Sequence, residues 1–161
     1  MSFEKAAEFI TAKGYGDKIH HFEVSSATVE LAAKAVGTEP QRIAKSLTFL
    51  VNEKAVMIVC AGDAKVSNSK YKAFFGTKAK MLSPEQVDTM IGHGIGGVCP
   101  FGINDGVSVY LDESFKRFDT VYPACGDARS AIELSIAELE DSSDYIEWID
   151  VCQIVQRCDV K

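Results

Sequence analysis

The chain has 161 residues and 47% hydrophobic content, which is enough for one domain, residues 1–161, with a sizeable core. Its formal charge of −6 gives no global reason to bind nucleic acid, so any RNA contact has to be local. The opening MSFEKAAEFI carries charges and no long apolar run, and no stretch approaches a membrane span, so a cytoplasmic protein without a membrane partner is expected. Cys60, Cys99, Cys125, Cys152 and Cys158 form no CxxC pair and no His/Cys cluster at ligand spacing, which predicts reduced thiols, no metal and no cofactor.

In chain order, Phe3, Ala6, Ala7, Phe9 and Ile10 repeat at helical spacing and Gly14 and Gly16 end the helix. Ile19 to Val24 predicts a strand. Ser25, Ser26 and Thr28 are N-cap candidates for a helix closed by Gly37, and Pro40 opens a turn. Lys45 to Val51 and residues 55 to 62 form two apolar runs joined by Asn52, Glu53 and Lys54, the pattern of an antiparallel hairpin with Lys45 at its head. Ser67 or Asn68 caps a helix ending at Gly76. Ser83, Pro84 and Gln86 make a capping box, Val107 to Leu111 alternates as a strand, and a brief helical turn follows at Glu113 to Phe115. Thr120 to Ala124 and Ser130 to Leu134 are further strands around Gly126, Ser135 and Glu138 form a second capping box, and Tyr145, Trp148, Val151, Cys152 and Val155 predict a closing helix.

Gly92 to Gly102, GHGIGGVCPFG, holds five glycines and one proline in eleven residues, a density no helix or strand tolerates. It specifies a shaped loop whose N–H groups can hold a phosphate, a carboxylate or a carbonyl oxygen gaining negative charge. Five ordered segments, SSATVELAAKAVG with EP after it, IAKSLTFLV, GDAKVSNSKYKAFF, GHGIGGVCPFG and CGDARSAIELSIAEL, resemble the YbaK family. These are aminoacyl-tRNA editing domains, free-standing as the YbaK and ProX deacylases and inserted in bacterial prolyl-tRNA synthetases. The pairing of a strand lysine in KSL with a downstream GGxxP loop is the most specific element.

The resemblance implies a mixed α/β (α+β) fold, a curved, largely antiparallel sheet or partial barrel flanked by helices. It also implies hydrolysis of the ester joining a wrong amino acid to the terminal adenosine of a tRNA, with tRNA(Pro) the first candidate. The partners would be the acceptor end of a mischarged tRNA and an aminoacyl-tRNA synthetase. By resemblance, Lys45, Gly96 and Gly97 carry catalysis, Lys45 by positioning a phosphate or the ester, and the Gly96 to Pro100 element shapes the pocket. His21, Ser26, Thr28, Val98, Cys99, Pro100, Gly102 and Gly126 contact substrate. The nucleophile is water, or the substrate's own thiol in cysteine-specific members, so a Ser/His/Asp triad is not required. Ile19 stands where cysteine-specific relatives have tyrosine, Cys99 where serine is common and Ile136 where proline is frequent, which leaves alanine, cysteine, serine and threonine open as the removed residue.

Two other readings compete. Cys99 with a histidine would make a thiol hydrolase, but a thiol between Val98 and Pro100 is more often a packed residue than an ionised one. The fold could also capture an aminoacyl group, or a synthetase, without turnover. The joint presence of Lys45 and the loop favours the enzyme.

Overall fold

A computed structural model describes residues 2–155. The first segment is helix α1 (Ser2–Ala12), a 3-10 turn (Gly16–Lys18), strand β1 (Ile19–His21), helix α2 (Val29–Val36) and a second turn (Pro40–Arg42). Strands β2 (Ile43–Val51), β3 (Lys54–Ala61) and β4 (Ala64–Val66) follow, then α3 (Asn68–Phe75) and the short α4 (Pro84–Gln86), continued by a π-helical turn at Val87–Ile91. The remainder is β5 (Ser108–Asp112), a 3-10 turn (Glu113–Arg117), β6 (Thr120–Pro123), β7 (Ser130–Ile132), β8 (Leu134–Ser135), α5 (Ile136–Ser143), β9 (Glu147–Ile149) and β10 (Cys152–Ile154).

Six strands make a curled half-barrel in the order β8-β6-β2-β3-β5-β9, with the pairs β1-β7 and β4-β10 beside it. The fold is the expected mixed one. Its longest ladder is the antiparallel β2-β3 hairpin, from Ala44 opposite Ala61 to Val51 opposite Lys54. Asn52 and Glu53 both take positive φ, 51° and 66°, as a two-residue hairpin turn demands, so the loop is one residue tighter than expected and Lys54 opens β3. Parallel pairings β2-β6, β3-β5 and β5-β9 extend the sheet on both sides of the hairpin. β3 is the central strand, and Met57, Ile58, Val59, Cys60 and Ala61 are all fully buried. An unbroken apolar run suits a strand covered on both faces, and Ala6 and Ile10 of α1 join the same core.

Each longer helix after the first starts where its cap dictates. Thr28 accepts from the Leu31 N–H and Gly37 closes α2 at φ 86°, while Ser67 and Gly76 do the same for α3. Ser135 and Glu138 form a reciprocal capping box on α5, and Lys18 Nζ reaches Glu138 Oε1 at 2.9 Å, tying that helix to the start of β1.

Three expectations are corrected. The tail is strand, because Asp144 turns left-handed at φ 51°, Ile146 N–H docks on Val109 O, and Asp112 Oδ1 accepts the Val151 N–H between β9 and β10. Its apolar residues are spaced for a helix, but pairing with β5 and β4 overrides that period. The strand around His20 and His21 ends at His21, since β7 offers a register of three residues. Lys45 stands third in β2, opposite Cys60, with Ile43 and Ala44 ahead of it.

Candidate active site

Between β2, the start of α2, the glycine loop and residues 124–131 lies a cleft of about 270 Å³. Five predicted residues line it: Ser26, Thr28, Lys45, Gly96 and Val98. Lys45 is half-buried, and its Nζ makes no hydrogen bond or ion pair with any described residue. Gly96 has φ 95°, and a Cβ there would lie 3.3 Å from Ala27 Cβ and 3.2 Å from Ala128 Cβ, so glycine lets the loop close over the cleft wall. The amides of Gly96 and Val98, two residues of the cleft lining, have no hydrogen-bond partner among the described residues.

The other predicted residues fall elsewhere. Gly97 does not line the cleft, and its N–H is spent on Gly94 O at 3.1 Å. It is glycine for packing, because a Cβ would sit 2.5 Å from the Gly126 carbonyl carbon and the Asp127 Cα, and Gly97 O accepts the Gly126 N–H at 3.1 Å. Cys99 is fully buried beneath the loop, with its Sγ 3.7 Å from Phe101 O. Pro100 and Gly102 face α1 and its surroundings, where a Cβ on Gly102 would lie 2.6 Å from Lys5 O. These four shape the loop from behind. His21 and Gly126 border a second, open groove of about 670 Å³, separated from the cleft by Ile95, which lines both and is 66% exposed.

In that groove His21 Nε2 lies 3.2 Å from Asp127 Oδ2, and its ring is 4.7 Å from Phe3. Burial raises the Asp127 carboxyl, but the Arg129 N–H, the Ser130 hydroxyl and His21 outweigh it and hold the group below the usual carboxylate range. Residues that sequence reasoning passed over also line the cleft: Ser46, Thr48, Tyr122 and Ser130. Ser46 carried a signal, a polar residue in an apolar strand directly after Lys45. Tyr122 carried none, since it reaches the cleft through its register with Ile43.

The sequence pattern of the Aminoacyl-tRNA editing domain matches residues 23–142. The chain belongs to that family. It is 49% identical over 154 residues to the uncharacterized protein YwhH of Bacillus subtilis, covering 95% of this chain and 98% of that one. It is 30% identical over 125 residues to a proline–tRNA ligase of Thermosipho melanesiensis, covering 77% of this chain but 22% of the ligase, so the likeness spans about a fifth of that protein. A crystal structure of a protein proposed as a trans-editing enzyme for prolyl tRNA synthetase superposes with a TM-score of 0.85 at 28% identity, over 94% of this chain and 97% of that one.

In this editing domain Cys99 and Cys125 are poor nucleophiles, while Cys158 lies outside the described residues. Burial pushes Cys99 far up, and burial with the nearby Asp127 pushes Cys125 up to about 12, so both stay protonated at neutral pH. His93 is fully buried, and its Nε2–H donates to Phe101 O at 2.6 Å, since a carbonyl can only accept. Desolvation lowers its pKa and keeps it neutral, a brace within the loop. Lys45 and the loop amides are thus among the electrophilic groups available in the cleft. Among the described residues, no helix is long and apolar enough to cross a membrane.

Proposed function

We propose that the protein is a single editing domain, residues 1–161, acting in trans as an aminoacyl-tRNA deacylase. It hydrolyses the ester of a mischarged tRNA, with tRNA(Pro) the first acceptor and alanine, cysteine, serine or threonine the removed residue. The observation that carries the reading is the meeting, in one cleft, of an unpartnered Lys45 ammonium and the free amides of Gly96 and Val98. Ester hydrolysis needs that set. Water adds to the carbonyl carbon, the carbonyl oxygen gains negative charge beside the amides, and the bond to the ribose oxygen breaks as that oxygen takes a proton. Lys45 holds the adjacent phosphate or the ester oxygen, a charge-assisted contact that keeps the carbonyl at the loop.

The likeness to proline–tRNA ligases and to the trans-editing protein supports tRNA(Pro), and a partner synthetase would supply tRNA selection that an acidic protein lacks. The test is a panel of alanyl-, cysteinyl-, seryl- and threonyl-tRNA(Pro) incubated with excess protein. At least one ester is expected to be cleaved well above its spontaneous rate. Survival of all four while the aminoacyl-tRNA still binds would make the protein a capture module.

A further inference from the structure

The outer edge of β2 is interrupted inside the cleft. Ile43 and Ala44 pair with Tyr122 and Pro123 of β6, and further along Thr48 O accepts the Leu82 N–H at 3.1 Å while Leu50 N–H donates to Lys80 O at 2.8 Å. Peptide groups of alternate residues face the same edge of a strand, so Ser46, two residues before Thr48, turns its N–H and C=O toward this gap. Neither has a partner among the described residues. The Ser46 hydroxyl is also buried and unpartnered, so one cleft residue carries three unsatisfied polar groups. A buried hydroxyl without a partner is rare in folded proteins, and here it stands beside an unpaired strand edge that a ligand can join.

Among the described cleft residues only the Ser46 hydroxyl is fully buried without a partner, and three neighbouring hydroxyls are already engaged. Thr28 Oγ1 is spent on the Leu31 N–H, Ser26 Oγ donates to Ser130 O at 3.3 Å, and Ser130 Oγ accepts the Cys125 N–H at 3.2 Å. Ile43, Leu47, Val98 and Ala131 supply an apolar surround. A hydroxyl left open in such a surround favours a ligand that brings its own hydroxyl and disfavours a methyl of similar size.

We propose that Ser46 is the specificity residue of the cleft: its main-chain carbonyl receives the substrate's α-amino group, and its hydroxyl selects a hydroxyl-bearing amino acid, serine or threonine, over alanine. The inference rests on the editing reading above and names the substrate class within it.

The experiment measures kcat/KM on seryl-, threonyl- and alanyl-tRNA for the natural protein, Ser46→Ala and Ser46→Thr, with thermal unfolding to confirm that each variant folds. The natural protein is expected to prefer seryl- over alanyl-tRNA by at least about 10-fold, Ser46→Ala to bring that ratio within about threefold, and Ser46→Thr, which keeps the hydroxyl, to retain the preference. A seryl-to-alanyl ratio near one in the natural protein, or one unchanged by Ser46→Ala, overturns the proposal. Affinities for hydrolysis-resistant amide-linked seryl- and alanyl-adenosine separate the two layers of inference. Tighter seryl binding lost in Ser46→Ala, without cleavage of any ester, supports Ser46 and removes the deacylase reading, whereas equal affinities remove Ser46.

Discussion

Lys45 is the residue on which the proposed chemistry turns, and its surroundings predict a separation of activity from stability. Its ammonium makes no bond that folding would lose, so Lys45→Ala should move the melting temperature by less than about 2 °C. Deacylation should fall at least about 10- to 100-fold in kcat/KM, the loss expected when a charge-assisted contact tightens in the transition state. Lys45→Arg should fail to restore the rate, because a planar fork on a longer stem puts the charge elsewhere. Full activity in Lys45→Ala would leave it a solvated strand lysine. The type of this residue was legible from KSL in an apolar run, but its depth in the strand was not, because the two residues ahead of it are drawn into β2 by their partners on β6.

Among the elements, the glycine loop makes the sharpest structural prediction. Gly97→Ala forces a Cβ into the backbone of Gly126 and Asp127, and overpacking of this kind costs about 1–3 kcal/mol, a fall of several degrees in melting temperature, with a matching loss of activity as the cleft wall shifts. Gly94→Ala is the comparison, since like Gly97 it lies in the loop outside the positive-φ region, but it has open space around it and does not line the cleft. Its activity should stay near that of the natural protein, and equal losses at both positions would mean that backbone conformation, not the contact with Gly126, is what the loop requires. Helix starts were legible because each rests on a local hydrogen bond: Ser67, Ser83 and Ser135 cap as their sequences indicate, and Thr28 takes the position that Ser25 and Ser26 also offered. The tail was not, because Tyr145 and Trp148 satisfy a helical period while their real partner is Glu140, whose Oε2 accepts from both Tyr145 Oη and Trp148 Nε1. Likewise the loop was legible as a pocket-former, but which of its residues line the cleft depended on Gly126 and α1, distant in sequence.

On the scale of the whole molecule, charge is unevenly spread. Residues 64–81 hold five lysines and no acid in a chain of net charge −6, and all five are exposed. Lys70 is paired with Asp150, whereas Lys72 and Lys78 border one concavity beside α3, and the segment runs on into Met81 and Leu82 of the cleft wall. The proposed substrate is a polyanion whose reactive end must enter that cleft, and the prediction is that this strip takes its phosphates. Lys72→Glu with Lys78→Glu should raise KM for aminoacyl-tRNA with little change in kcat, and lower the slope of log K against log salt by about 1 per lysine. The same change at Lys54, the first residue of β3, should do neither. An equal response at Lys54 would point to net charge alone.

The strand order has a consequence for how the chain comes into being. Among the described strands only the central hairpin joins neighbours in sequence; β5 waits for β9, and β4, made early in synthesis, waits for Cys152–Ile154. A nascent chain can therefore close α2 and the β2-β3 hairpin while it is still being extended, but both outer ladders stay open until its last strands emerge. During that interval Ala64 to Val66 and Tyr110 to Asp112 offer unpaired edges to any neighbouring polypeptide, and the lysines that follow β4 stand guard over one of them by repulsion.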